Sequence, residues 1–125
     1  MNNHKLEVVV CDQAMIASPE LKAKNMTMKF PFLETPEGNL CESVAIAKYL
    51  AHGHASLNGT SAVERAQVDQ WLYWSVTSYF PDQLKALIAV FGFDKTFGMP
   101  AVTQADYNTS ATAVKAHCKT LNGVV

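Results

Sequence analysis

The chain has 125 residues, 49% of them hydrophobic and 17% charged, which is long enough to bury a core as one compact domain or two small ones. Ten Lys+Arg against eleven Asp+Glu leave a net charge of -1 with no run of like sign, so direct binding of nucleic acid, which needs a basic stripe, is not expected. The start, MNNHKLEVVVCDQ, sets a lysine and a glutamate around a very short apolar run, fits neither a signal peptide nor a membrane span, and points to the cytoplasm.

The β-branched run KLEVVV predicts a first strand over Leu6 to Val10. Ser18-Pro19-Glu20 then combines a hydroxyl N-cap, a proline at the first helical position and an early acid, which predicts a short helix from Ser18 to about Asn25. KFPFLE reads as a second strand in which Pro31 marks an edge, a bulge or a bend, because a proline inside a central strand costs a ladder hydrogen bond. TPEGN is turn chemistry and LC a brief return strand, so the segment is expected to form a β-hairpin.

From Glu42, ESVAIAKYLAHG predicts a short, largely buried helix that stops at Gly53. GHASLNGTS is the loop-rich shift in composition and carries the expected subdomain boundary; His52 and His54, without acid or sulfur companions, read as exposed loop residues and not as metal ligands. Ser61 and Glu64 form a predicted capping box that opens a long helix bearing Trp71, Trp74 and Tyr79. Pro81 either interrupts this helix or kinks it before DQLKALIAVFGF, and FDKTFGMP reads as a loop. Thr103 and Asp106 cap a last helix, with Val114, Cys118 and Leu121 expected on its packed face. Cys11, Cys41 and Cys118 are odd in number and widely spaced, which predicts buried free thiols and no disulfide or zinc site.

The order is β-α-β-β-α followed by helices alone, an α+β layer leading into a helical bundle. With the proline at the entry to the second strand and Glu-Ser opening the next helix, FPFLETPEGNLCESVAIAKYLA resembles the thioredoxin-like domain of the glutathione transferase superfamily. The resemblance divides the chain into a thioredoxin-like part, 1–54, and an all-helical part, 61–125. It implies a cis bond before Pro31, a Phe30 backbone open to the cysteinyl part of glutathione, and Glu42 and Ser43 as the pair holding its γ-glutamyl ammonium and carboxylate. Glutathione is thus the ligand or substrate implied, with no separate cofactor, while Pro31, Glu42 and Ser43 serve equally as a strand bend and a helix start.

ERAQVDQWLYWSVTSYFP resembles the opening of the helical domain in gamma subunits of the translation elongation factor 1 complex, and less specifically the domains appended to aminoacyl-tRNA synthetases. KLEVVV matches the superfamily's second strand, so its first β-α unit, which carries the catalytic tyrosine, serine or cysteine, is expected to be absent, as is the end of the helical domain. Tyr49, Tyr73, Tyr79 and Tyr107 lie away from that position, and no catalytic residue is assigned. The leading expectation is a non-catalytic interaction module whose partners are other subunits of an elongation factor or synthetase complex. A homodimer or larger assembly would follow from an exposed edge at Leu6 to Val10. A glutathione transferase acting on small electrophiles is the alternative, and a synthetase-associated domain a further one.

Overall fold

Short-range capping decides where the first helices begin. In the computed structural model, which describes residues 5–123, the Asp12 side chain accepts from the Met15 amide to open α1 (Gln13–Ala17). The Ser18 hydroxyl accepts from the Leu21 amide to open α2 (Pro19–Lys24). The sequence reading anticipated α2 and its cap but not α1. Residues 1–4, the beginning of the stretch read above against a signal peptide, lie outside the described residues.

The chain divides into two compact units, Met1–Val68 and Asp69–Val125. In the first, β1 (Phe32–Thr35) and β2 (Gly38–Cys41) form an antiparallel hairpin in which Phe32 faces Cys41 and Thr35 faces Gly38. The Thr35 hydroxyl closes the Pro36-Glu37 turn by donating to the Gly38 carbonyl at 2.7 Å and accepting from the Gly38 amide at 3.1 Å. α3 (Ser43–Leu50) packs on both strands and buries Ile46. Its remaining apolar residues are half-buried or exposed, so the helix is less covered than its composition suggests. α4 (Ala55–Asn58), a single turn, lies in the stretch read as loop-rich.

This is the partial α+β layer expected from the sequence, with α1 and α4 added and the first strand missing. Leu6 to Val10 forms no strand: the segment is unpaired, and Val8 and Val10 are 86% and 88% exposed. β-propensity is a preference for a pleated, half-buried surface, and it produces a strand only where a neighbour completes the ladder.

The second unit is helical. α5 (Ala62–Trp74), whose first residues belong to the first unit, continues without a break through a π-helical turn, Ser75–Tyr79, into α6 (Phe80–Phe91). Pro81 therefore does not end the helix, which passes through the π-helical turn just before it. Proline has no amide hydrogen to return to the preceding turn, and a wider turn accommodates the loss. Ser75 and Thr77 hydroxyls donate to the Leu72 and Tyr73 carbonyls at 2.6 and 2.9 Å, holding the distorted turn. α7 (Phe93–Phe97), set between left-handed Gly92 and Gly98, replaces the loop expected over FDKTFGMP.

α8 (Gln104–Asn122) opens on the predicted Thr103/Asp106 capping box and packs along α6, where Ile88 is buried. Of the face read from the sequence, Val114 is covered and Cys118 and Leu121 are not. Ser110 is buried and Tyr107, Ala111, Val114 and His117 are half-buried, whereas Cys118 and Leu121 are exposed. A hydrophobicity pattern undercounts small polar residues such as Ser110. His117 Nε2 meets Asp82 Oδ2 at 3.1 Å, and its ring meets Trp74 and Tyr79 edge to face at 5.2 and 5.9 Å. The cysteines are free as expected, but none is buried: Cys11 and Cys41 are half-buried and Cys118 is exposed. No helix among the described residues is long and apolar enough to cross a membrane.

Candidate functional site

The four residues singled out in the sequence flank the open end of the hairpin, Phe30 and Pro31 just before β1 and Glu42 and Ser43 just after β2. The last pair of the hairpin is Phe32 with Cys41, the residues that follow Pro31 and precede Glu42 in the chain. The Phe30–Pro31 peptide is cis, as the resemblance implies. Phe30, Pro31, Glu42 and Ser43 are all exposed, Phe30 at 48%.

Glu42 has φ 71 and ψ 121, outside the regions an L residue with a Cβ ordinarily occupies, and it costs about 1–3 kcal/mol to hold there. Its side chain makes no capping bond to α3. The first amide of α3 to be taken up within the helix is that of Ile46, bonded to the Glu42 carbonyl at 3.0 Å. The Ser43, Val44 and Ala45 amides thus form the positive end of an eight-residue helix. An exposed carboxylate beside a helix N-terminus and an extended main chain can receive an ammonium, a carboxylate and a peptide group, which are the groups a γ-glutamyl peptide presents.

A buried asparagine that the sequence reading missed fixes the loop leading into this site. Asn25 is 0% exposed, its Nδ2 donates to the Lys29 carbonyl at 2.9 Å, and its Oδ1 accepts from the Thr27 hydroxyl at 3.1 Å and the Cys41 thiol at 3.4 Å. Its backbone carbonyl accepts from the Met28 amide at 3.2 Å, and Met28 turns at φ 51. One side chain therefore ties the end of α2, the loop before Phe30 and the last residue of β2 together. The signal available in sequence was the Asn-x-Thr pattern after a helix, which is turn chemistry and says nothing of burial.

On the other side of α2, Lys24 Nζ binds Glu20 Oε1 at 2.9 Å and Glu34 Oε2 at 3.0 Å, and the two carboxylates, Glu20 first, push its pKa up. Next to them an open depression of about 390 Å³ is lined by Ala14, Met15, Ser18, Glu20, Leu21, Lys24 and Glu34. It shares no residue with the Phe30, Pro31, Glu42 and Ser43 site. His52 is exposed and His54 half-buried at the start of α4, and among the described residues no group of three His, Cys, Asp or Glu could hold a metal ion.

Residues 1–59 match the family model of the glutathione S-transferase N-terminal domain. Probable elongation factor 1-gamma 2 of Arabidopsis thaliana is 41% identical over 86 residues, 67% of this chain and 21% of its own length. Probable elongation factor 1-gamma 1 of the same plant is 36% identical over 101 residues, 79% of this chain and 23% of its own. A glutathione S-transferase, also from Arabidopsis thaliana, is 38% identical over 87 residues, 66% of this chain and 40% of its own. The chain spans about a fifth of the length of the elongation factors it matches.

Proposed function

We propose, for a chain that belongs to the glutathione S-transferase superfamily and is similar to elongation factor 1-gamma, that it serves as a non-catalytic protein-interaction module. Its partners are other subunits of a translation elongation factor complex, and it works in the cytoplasm. The observation that carries this reading is the extent of the likeness. The 101 residues aligned with one elongation factor exceed the 59 of the N-terminal domain model, so the similarity continues into the helical part of the chain. Within this reading residues 1–54 form the thioredoxin-like part and 61–125 the all-helical part. Homodimerisation belongs to the same proposal, resting on the exposed apolar side chains of Leu6, Val8, Val9 and Val10 and not on a strand edge, since the segment forms no strand.

The test is assembly with purified elongation factor 1 subunits, followed by size-exclusion chromatography at micromolar concentration. A complex of defined stoichiometry is expected. Turnover of glutathione with a chloro-dinitrobenzene above the uncatalysed rate would sink the non-catalytic reading in favour of a transferase.

A second reading, a retained glutathione site on Phe30, Pro31, Glu42 and Ser43, is favoured by the strained Glu42 backbone at an uncapped helix start. Glutathione at about a hundredfold over its dissociation constant should add roughly 2.7 kcal/mol to stability. A melting temperature unmoved by glutathione, or moved equally in Glu42→Ala, removes this reading.

A further inference from the structure

We infer that the depression between α1, α2 and β1 is a docking site for an arginine side chain presented by a partner protein's peptide segment. The inference rests on reading the chain as an interaction module. Ala14, Met15 and Leu21 give the depression apolar lining, and its volume of about 390 Å³ has room for a long side chain. The charges at its rim are Glu20, Glu34 and Lys24, a net of one negative charge. Each carboxylate gives one oxygen to Lys24, through Glu20 Oε1 and Glu34 Oε2, and carries a second oxygen beyond that bond. Both acids face water, with side chains 78% and 53% exposed.

Those features select the occupant by charge and shape. A cation is preferred over an anion at a rim with two carboxylates and one ammonium. A guanidinium presents a planar fork of donors that can reach two carboxylates at once, which a compact ammonium does less well. Its aliphatic stem can lie along Met15 and Leu21 while the head stays at the wet rim.

The test uses the whole chain, isotopically labelled, titrated with a blocked arginine-leucine peptide and with the same peptide carrying glutamate for arginine. Saturating NMR shifts centred on residues 14–24 and on Glu34 are expected with the first peptide only, weakening as salt is raised. The double variant Glu20→Gln, Glu34→Gln should weaken binding by about tenfold. Lys24→Met, checked for an intact fold by its spectrum, should tighten it, since the rim then carries two uncompensated carboxylates. Equal binding of the glutamate peptide, no response at these residues, or weaker binding by a folded Lys24→Met protein overturns the inference. Assembly with elongation factor subunits is measured separately. A chain that assembles yet ignores the peptide loses the arginine site alone, and one that binds the peptide yet fails to assemble loses the module reading alone.

Discussion

Replacing Asn25 by alanine should destabilise the first unit more than any surface change in it. The side chain is completely buried and makes three hydrogen bonds, to the Lys29 carbonyl, the Thr27 hydroxyl and the Cys41 thiol. At about 0.5–1.5 kcal/mol for each neutral bond, with the thiol the weakest, the loss is about 2–3 kcal/mol. For a cooperative unit of this size that corresponds to a fall in melting temperature of about 10–20 °C. Asn25→Asp should be no better at neutral pH, because it keeps the acceptor but sets a carboxylate against the Lys29 carbonyl. The assay is thermal and urea unfolding followed by circular dichroism, together with hydrogen exchange at Met28 and Lys29. The Met28 amide donates to the Asn25 carbonyl and the Lys29 amide to the Thr27 hydroxyl. A cost below about 0.5 kcal/mol, with protection at those two amides unchanged, would refute the view that one side chain organises the approach to Phe30 and Pro31.

Other expectations follow from local geometry. The Thr60 hydroxyl, followed by the Ser61 and Thr60 amides, draws the Glu64 pKa down from 4.5 to about 2, so the tie at the start of α5 is intact above pH 4.5 and is lost as pH falls toward 2. Exchange protection of the Thr60 and Ser61 amides should fade across that window in the native protein and be low at every pH in Glu64→Ala. Gly59→Ala should cost about 2 kcal/mol or more in urea unfolding, since its φ is +73 and the new Cβ would stand 2.5 Å from the Glu64 Cβ. A neutral outcome would mean that the chain relaxes there freely. A double-mutant cycle on Asp82→Ala and His117→Ala should give a coupling of about 0.5–1 kcal/mol at pH 6, as befits a pair that is partly exposed. A coupling of zero would leave the packing of α8 on α6 to apolar contacts alone.

Much of the chain was legible because its signals are short-range. Ser18 before Pro19, Ser61 with Glu64, and Thr103 with Asp106 bond within one turn, so residue type and spacing determine where α2, α5 and α8 begin. The turn at Pro36-Glu37 was legible for the same reason, and the grouping of Phe30, Pro31, Glu42 and Ser43 followed from the hairpin and the helix it feeds. Tertiary structure decided what depends on a distant neighbour. Leu6 to Val10 has the residues of a strand but no ladder to join, and it stays open. The face of α8 that packs is set by its partner helix α6, which leaves Ser110 buried and Tyr107, Ala111, Val114 and His117 half-buried while Cys118 and Leu121 stay exposed. Asn25 became the hub of its loop only when Cys41, sixteen residues away, was brought against it. Lys24 likewise meets Glu20 through helix periodicity but Glu34 only because β1 folds back beside α2. Contacts within a turn are written in the local sequence, whereas burial and cross-element pairing depend on which surfaces the folded chain brings together.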